Sequence, residues 1–455
     1  MKQYALVSAL AALGAVSANP TPSEKQPPTK RANSPTISVS GNAFWSDKNT
    51  RFYLRGIDYQ PGGASANIDP LADTAICNRD IPKFKDLGVN TIRVYSVDNS
   101  KNHDECMKLL ENEGIYLVLD VNTPKYSLNR AKPGPSYNAK YLQSVFATVE
   151  IFAKYRNTLA FFSGNEVIND HKDTDKSAPY VKAVTRDIKN FMNMRGLRRV
   201  PVGYSAADVE SNRLQTAQYM NCGSDDMRSD FFAFNDYSWC NSNFQTSGWS
   251  KKVQTFSDYG LPIFLSEWGC NKNRPRNFDE LSALMNTQQM TSVYSGGLMY
   301  EYSTEANDYG IVKINGKSAT ESDEFSRFKE ALAKYPAPSG SGGAASTTHA
   351  VNCPTSASDW QVDPSKVPEM PQQAQKYMKD GAGTGPGMEG DGSQDAADSG
   401  TSTADVTGGE ASPTASGGNK DEDSAASPMV TPLDMAPMAV CTLALFFTLF
   451  GALLL

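Results

Sequence analysis

Eight short apolar runs recur through the middle of the chain, separated by stretches whose apolar residues repeat at helical spacing. Each run is bounded by turn residues, which is typical of strands buried on both faces of a sheet. We predict strands at residues 52–58, 90–95, 115–121, 159–164, 200–204, 231–237, 261–266 and 296–302.

Helical patterns lie between these strands. One short helix is predicted to begin with an Asn78 cap and to end at Gly88, and a second to cover residues 104–113. Apolar stripes within 141–152 and 180–191 predict two longer helices. Strand–helix units with right-handed crossovers close into a (β/α)8 barrel of the TIM type, which is the predicted fold. A doubly wound open sheet is the alternative, but it would need a glycine-rich phosphate loop after the first strand.

The ends of the chain differ from its middle. Residues 1–18 combine an early lysine, an apolar stretch and small residues before Ala18, as in a secretory signal peptide. The apolar stretch is too short to span a membrane. We predict a signal peptide at 1–18, a leader at 19–36, a single barrel at 37–335, a C-terminal extension packed on the barrel at 336–387, a stalk at 388–424 and an attachment propeptide at 425–455.

The C-terminal residues 437–455 are apolar, and small residues precede them by a short spacer. This pattern is typical of a signal for a glycosylphosphatidylinositol (GPI) lipid anchor. Ser424 is the predicted attachment site, with Asn419 and Ala425 as alternatives. A retained transmembrane helix is the competing interpretation, which the absence of basic residues after the apolar stretch disfavours.

Charge and composition predict a disordered stalk. Residues 381–427 contain nine acidic residues, one lysine and no aromatic residue, with abundant Gly, Ser and Thr. Such a segment cannot bury enough apolar surface to fold. The net charge of −7 and the lack of a basic cluster argue against nucleic acid as a partner.

The cysteines of a secreted chain lie in an oxidising environment. Cys441 falls in the predicted propeptide, which leaves six cysteines for three disulfides: Cys77, Cys106, Cys222, Cys240, Cys270 and Cys353. Spacing alone leaves fifteen connectivities open. No C-x-x-C pattern is present and the three histidines are scattered, so we expect no metal site.

Two glutamates carry the candidate chemistry. Glu166 follows the fourth predicted strand and Glu267 the seventh, and such positions face the active-site mouth of an α/β barrel. A carboxyl pair at this place suits the cleavage of glycosidic bonds, with one group protonated and the other ionised. Asn165 would bind a sugar hydroxyl, and Trp268 would form an apolar wall beside the carboxyls or stack on a sugar ring. A lone glutamate at a loop start is usually only solvated, so the prediction depends on the pair.

Several motifs around these positions resemble those of one enzyme family. They are RGIDYQPGG (55–63), RVYSVD (93–98), FFSGNEV (161–167), YSWC (237–240), SEWGC (266–270), YSGGLMYEY (294–302), NDYG (307–310) and CPTSASDWQVDPSKVPEMP (353–371). They are similar to motifs of the fungal cell-wall β-1,3-glucanosyltransferases, glycoside hydrolase family seventy-two, whose members are typically GPI-anchored. The similarity extends over residues 37–387.

This resemblance implies Glu166 as the general acid/base and Glu267 as the nucleophile. The Tyr237 hydroxyl is predicted to hold the nucleophilic carboxylate in place. The residues implied to contact substrate are Gln60, Tyr95, Asp120, Asn165, Tyr237, Tyr300 and Tyr309. The implied disulfides are Cys77–Cys106, Cys222–Cys353 and Cys240–Cys270. No cofactor is implied.

The chain also departs from the family pattern. No cysteine follows Cys353 before the predicted propeptide, so we expect no cysteine-rich carbohydrate-binding module of the kind that some members carry. Asp236 stands where an apolar residue is commoner, which would change the charge beside Tyr237.

The resemblance implies an enzyme at the cell surface, held by its lipid on the outer leaflet of the plasma membrane or in the wall. It would cleave an internal β-1,3-glucan linkage with retention and transfer the new end to a second β-1,3-glucan chain. One alternative is a secreted endo-β-1,3-glucanase that mainly hydrolyses. Another is an anchored glucan-binding or adhesion protein without catalysis, which the intact carboxyl pair disfavours.

Overall fold

The structure, a computed structural model, describes residues 34–394. A three-stranded antiparallel sheet comes first, formed by β1 (Ile37–Ser40), β2 (Ala43–Ser46) and β3 (Arg51–Phe52). Eight parallel strands then close into a barrel in chain order: β4 (Leu54–Asp58), β5 (Thr91–Val94), β6 (Tyr116–Asp120), β7 (Thr158–Asn165), β8 (Val202–Ala207), β9 (Phe231–Asn235), β10 (Ile263–Trp268) and β11 (Tyr294–Met299). A hairpin follows, made of β12 (Val312–Asn315) and β13 (Ser318–Glu321).

Helices occupy most connections between barrel strands, and the last two helices follow the barrel. They are α1 (Thr74–Leu87), α2 (Asp104–Asn112), α3 (Pro133–Ser136), α4 (Ala139–Phe152), α5 (Ala178–Met194), α6 (Arg213–Asn221), α7 (Trp249–Phe256), α8 (Glu280–Asn286), α9 (Gln288–Thr291), α10 (Asp323–Lys334) and α11 (Gln375–Asp380). Two 3₁₀ turns lie at Thr174–Ser177 and Gln372–Ala374. The (β/α)8 prediction is confirmed, and every predicted barrel strand overlaps an observed one.

The first helix begins earlier than predicted. Asp73, not Asn78, is its cap, and the Asp73 carboxylate accepts a hydrogen bond of 2.7 Å from the backbone N–H of Ala75. Asn78 lies inside the helix. The predicted end is confirmed, because Gly88 adopts φ +79° and its N–H bonds back to the last turn.

Successive side chains along each barrel strand point alternately into the barrel and toward the helices, which gives two hydrophobic cores. Along β6, Val118 belongs to the cluster inside the barrel, whereas Leu117 and Leu119 pack against the helices. Phenylalanine rings fill the lower barrel, with centroids 5.5 Å apart for Phe162 and Phe231 and 5.3 Å apart for Phe231 and Phe264. The barrel is therefore packed below, and polar side chains gather at the C-terminal ends of its strands.

Three disulfides fasten the outer elements, with the predicted connectivity. Cys77–Cys106 joins α1 to α2, and Cys240–Cys270 joins the loops after β9 and β10. Cys222–Cys353 ties the C-terminal extension to the end of α6.

The extension continues beyond the predicted boundary at residue 387. Ser393 is fully buried and Gln394 is 6% exposed. The backbone N–H of Ser393 bonds to the carbonyl of Lys125 at 3.0 Å. Residues 388–394, assigned to the stalk from composition, are therefore packed against the barrel. The signal peptide, the rest of the stalk and Ser424 lie outside the described residues.

Within residues 34–394, none of the helices combines the length and apolarity needed to cross a membrane. In the same range, His, Cys, Asp and Glu side chains form no group of three or more that could hold a metal ion.

Candidate active site

The two predicted carboxyls lie at the same end of the barrel. Glu166 directly follows β7 and Glu267 is the penultimate residue of β10, with β8 and β9 between them. Glu166 adopts φ +47°, an unusual backbone conformation for a residue with a side chain. Both carboxyls are buried, Glu166 at 3% exposure and Glu267 at 0%.

Three donors surround the carboxylate of Glu267. The Tyr237 hydroxyl donates to Oε2 at 2.6 Å, as predicted for that residue. The Tyr95 hydroxyl donates to Oε1 at 2.9 Å, and Nη1 of Arg93 lies 3.2 Å from the same oxygen. Hydrogen bonds to the charged form favour ionisation and fix the orientation of the group.

Arg93 is the charged centre of the site. It lies on β5 with its side chain inside the barrel and fully buried. Its Nε and Nη2 donate to the two oxygens of Asp120 at 2.8 and 3.2 Å. The guanidinium also lies over the rings of Tyr95 and Phe162, 4.1 and 4.7 Å from their centroids. One cation therefore holds both Asp120 and Glu267.

The two glutamates differ in their tendency to hold a proton. Burial and the negative charge of Glu267 raise the pKa of Glu166 to about 8. Burial also raises the pKa of Glu267, but Arg93 and the hydroxyls of Tyr237 and Tyr95 oppose that effect. Glu267 therefore ionises first, and Glu166 keeps its proton at neutral pH.

An amide network links the two glutamates. Nδ2 of Asn235 donates to Oε1 of Glu166 at 2.8 Å. Oδ1 of Asn235 accepts from Ser266, the residue before Glu267, at 2.8 Å. Oδ1 of Asn165 accepts a hydrogen bond from the Ser205 hydroxyl at 2.7 Å, while its Nδ2 is buried with no hydrogen-bond partner among residues 34–394. The binding of a sugar hydroxyl by Asn165 remains a prediction, with which this geometry is compatible.

Tyrosines form the wall next to Glu267. Tyr95, Tyr237, Tyr300 and Tyr309 make one buried cluster with Cys270. The ring centroid of Tyr309 is 5.4 Å from those of both Tyr237 and Tyr300. Aromatic surfaces of this kind suit the apolar faces of sugar rings.

A small cavity, open to solvent, lies beside these groups. Three predicted substrate contacts, Tyr95, Asp120 and Asn165, line it. Its remaining walls come mainly from the loops after β4, β5 and β6, with Ala64, Ser96, Asn122, Thr123, Pro124, Ser127, Leu128 and Arg130, and from Ser163, Gly164 and Val167 around Asn165.

Gln60, another predicted contact, is engaged within the protein. Its Oε1 accepts from the backbone N–H groups of Tyr95 and Ser96, both at 3.1 Å, and its Nε2 donates to the carbonyl of Ile68 at 2.7 Å. It is 1% exposed. Gln60 therefore fixes the loops at the mouth.

Two expectations about individual side chains are wrong. Trp268 does not face the carboxyls, because its neighbour Glu267 points inward and Trp268 packs outward against Phe278 and Phe328. The charge of Asp236 is compensated, since Nζ of Lys252 lies 2.5 Å from its carboxylate and 2.6 Å from that of Asp208, which in turn pairs with Arg213. Asp236 therefore adds no free charge beside Tyr237.

Sequence reasoning missed Arg93 and Asn235. A charged residue within the apolar strand TIRV was a usable signal, because a buried arginine needs a carboxylate partner. Asn235, at the end of the apolar strand FFAFN, offered a weaker signal of the same kind. Two further buried carboxyls, Asp58 and Glu301, were also missed, and burial raises the pKa of both.

The fold and the carboxyl pair define a barrel of the glycoside hydrolase class. A family model described as glucanosyltransferase matches residues 27–336. The chain therefore belongs to the glucanosyltransferases, glycoside hydrolase family seventy-two.

Individual relatives agree with this assignment. The chain is 59% identical over 392 residues to 1,3-beta-glucanosyltransferase gel1 of Aspergillus fumigatus, covering 86% of this chain and 85% of that protein. It is 50% identical over 361 residues to 1,3-beta-glucanosyltransferase GAS5 of Saccharomyces cerevisiae, covering 78% and 74%. A solved structure of a Saccharomyces cerevisiae Gas2 mutant, in complex with laminaritetraose and laminaripentaose, is similar with a TM-score of 0.69 and 38% identity, covering 75% of this chain and 76% of that one.

Replacing Tyr237 with Phe removes the 2.6 Å donor to Glu267. We expect kcat to fall by roughly 10- to 100-fold, the effect of losing a hydrogen bond to a charged group. The acidic limb of the pH–rate profile should move to higher pH, because Glu267 then ionises less readily. Tyr302→Phe is the matched control, since that buried hydroxyl bonds to Asp80 at 2.8 Å. Wild-type kcat in Tyr237→Phe would contradict this role.

The basic limb of the same pH–rate profile reports the ionisation of Glu166. Activity requires its protonated form, so it should decline as pH rises through about 8. Asn235→Ala removes a hydrogen bond that lowers the pKa of Glu166, so the limb should move to still higher pH while kcat falls. Ser205→Ala, which disturbs the network without touching the Glu166 carboxyl, should leave the limb in place. If the basic limb does not move in Asn235→Ala, the assignment of that limb to Glu166 is wrong.

Proposed function

We propose that this chain is a cell-surface β-1,3-glucanosyltransferase that cleaves an internal linkage of one β-1,3-glucan and joins the new reducing end to the non-reducing end of another. The observation that carries the proposal is the contrast between the surroundings of the paired glutamates. Glu267 accepts hydrogen bonds from Tyr237 and Tyr95 and lies beside the guanidinium of Arg93, whereas burial and the charge of Glu267 raise the pKa of Glu166 to about 8. Family membership and the named activities of the relatives support the choice of β-1,3-glucan.

The first step forms a covalent intermediate. The Glu267 carboxylate attacks the anomeric carbon of the donor glucan, and Glu166 gives its proton to the departing glycosidic oxygen. The C–O bond to the leaving chain breaks as the ester bond to Glu267 forms. Tyr237 and Tyr95 fix the attacking oxygens, which lowers the cost of orienting the nucleophile.

The second step transfers the glycosyl group. Glu166, now ionised, removes the proton from a hydroxyl at the non-reducing end of an acceptor glucan. That oxygen attacks the anomeric carbon, the ester to Glu267 breaks, and both glutamates return to their first states. Two inversions give net retention, and the product is a longer β-1,3-glucan.

The side chains that face the mouth of the barrel are the candidates for contact with the substrate. Nδ2 of Asn165, which has no hydrogen-bond partner in the described part of the chain, suits a sugar hydroxyl, and Asp120 lines the cavity beside it. Tyr95 also lines the cavity, and Tyr300 and Tyr309, the other tyrosine contacts that the family resemblance implies, pack against Tyr237. Gln60 acts by holding the loop from which the first of these tyrosines projects.

Transfer requires an acceptor glucan to react with the glycosyl–enzyme faster than water does, although water is present at molar concentration. The buried tyrosine cluster next to Glu267 supports this outcome, because an oriented acceptor reacts with a large effective concentration. The names of the relatives favour transfer over the hydrolytic alternative.

The protein acts outside the cell. Three disulfides, all formed within the described residues, are typical of an oxidising extracellular setting. We further propose membrane attachment through a GPI lipid at Ser424, after removal of residues 1–18 and 425–455. The apolar segment 437–455 and the acidic, Gly- and Ser-rich segment before it support this arrangement.

The direct test is product analysis on a reduced laminarioligosaccharide. The wild-type protein should yield products longer than the substrate. Glu267→Gln should abolish turnover, and Glu166→Gln should slow it by roughly 10²- to 10⁴-fold. Glu280→Gln is the matched control, because that carboxyl is also buried with its pKa raised to about 8 but lies near Arg276 and Asp279. Shorter products alone would favour the endo-glucanase, and binding without turnover would favour the adhesion protein.

A further inference from the structure

A segment with no place in the chemistry crosses the rim of the mouth. Residues 382–394, which we name the strap, follow α11 and run past the loops after β4, β5 and β6. Ala382, Met388, Ser393 and Gln394 of the strap are buried. A composition of mostly Gly and acidic residues would leave it free in solvent, so specific contacts must hold it.

One set of contacts joins the strap to the loop after β5. The N–H of Gly387 donates to Oδ1 of Asn99 at 2.9 Å, and Nδ2 of Asn99 donates to the carbonyl of Ser144 in α4, also at 2.9 Å. A Cβ on Gly387 would lie 2.6 Å from Oδ1 of Asp98 and 2.7 Å from Oγ of Ser100. The backbone of the strap therefore lies directly against this loop.

A second set joins it to the loop after β6. The N–H of Gly392 donates to the Tyr126 hydroxyl at 3.2 Å. Nε2 of Gln394 donates to the carbonyl of Ser127 at 2.7 Å and lies 3.2 Å from its hydroxyl oxygen. The loop after β4 is reached as well, by a 3.1 Å bond from Nδ2 of Asn67 to the carbonyl of Met388.

These three loops line the cavity beside Asn165, whereas the strap itself does not. Ser127 lines the cavity, and its carbonyl also accepts the hydrogen bond from Gln394. This one residue therefore connects the strap to the cavity wall. Glu267 and Arg93 lie on barrel strands and Glu166 directly follows β7, and the strap makes no hydrogen bond to any of the three. The strap can therefore influence where a sugar binds without touching the reacting groups.

We propose that the strap is a positioning element that holds the three loops in the shape that binds the donor or acceptor glucan. This role deepens the proposed function and rests on it as far as the identity of the ligand is concerned. Gly387, Gly392 and Gln394 act through the loops, so their effect falls on the KM for glucan and not on kcat.

Two glycines of the strap give a matched pair of variants. Gly387 and Gly383 have similar φ values, +64° and +67°, so alanine introduces similar backbone strain at each. The Cβ at Gly387 meets Asp98 and Ser100, whereas at Gly383 nothing lies within 4 Å. Gly387→Ala in the full chain should raise KM for a laminarioligosaccharide by roughly 5- to 30-fold, as for one or two lost hydrogen bonds, with kcat within twofold. Gly383→Ala should match the wild-type protein in both.

A variant at Gln394 and a measurement of amide hydrogen exchange keep the proposal testable if Gly387→Ala does not fold or the protein is inactive on glucan. Gln394→Ala removes the bonds to Ser127, and should raise KM in the same way if Gly387→Ala does not fold. In both variants, amide hydrogen exchange at residues 123–128 should become faster than in the wild-type protein, with or without substrate. If the wild-type protein proves inactive on glucan, the proposed function fails while this exchange still tests the strap. Equal KM in all variants, a loss confined to kcat, or unchanged exchange would overturn the proposal.

Discussion

A single buried guanidinium, that of Arg93, joins two carboxylates at the open end of the barrel. It pairs with both oxygens of Asp120 and with one oxygen of Glu267, and it is itself fully buried. Removing one member of a buried ionic group leaves an unpaired charge, which costs about 3–5 kcal/mol. The ionised state of Glu267 depends on this arrangement, and with it the division of roles between the two glutamates.

The barrel explains how such an arrangement can be built. Residues alternate between interior and exterior along each strand, so Arg93 on β5 and Asp120 at the end of β6 both face inward. Phenylalanines fill the interior below them, which excludes water and strengthens every electrostatic interaction above. Two strands separate β7 from β10, and the Asn235 amide on β9 spans the gap toward Glu166.

The barrel strands and the positions of Glu166 and Glu267 could be predicted because both depend on local pattern. Apolar runs mark strands, and the C-terminal end of a parallel strand marks the mouth. Whether a strand residue projects into the barrel or toward the helices is harder to predict, because a shift of one position along the strand reverses the direction. The prediction for Trp268 is wrong for this reason, since its side chain faces the helices. The partners of Arg93 and Asn235 lie on other strands, and no local pattern specifies them.

Long-range contacts also explain the error at the C-terminal boundary. Composition predicts disorder for residues 388–394, yet their backbone is bound by Asn67, Tyr126 and Lys125, which are more than two hundred positions earlier. Because the loops after β4 to β6 supply hydrogen-bond partners, a glycine-rich segment can be ordered against them without a core of its own, and strap and loops hold each other in place. The three disulfide pairs were available from the family resemblance, whereas spacing left the connectivity open.

In the proposed reaction, Glu267 is the group that bonds to the sugar. The most direct measurement is peptide mass analysis after reaction of the full protein with a 2-deoxy-2-fluoro β-laminaribiosyl fluoride, which forms the glycosyl–enzyme ester and slows its breakdown. We predict one added glycosyl group, located on the peptide that contains Glu267. An adduct on Glu166 or Glu301, or continued turnover of glucan with inversion and no adduct, would contradict the account.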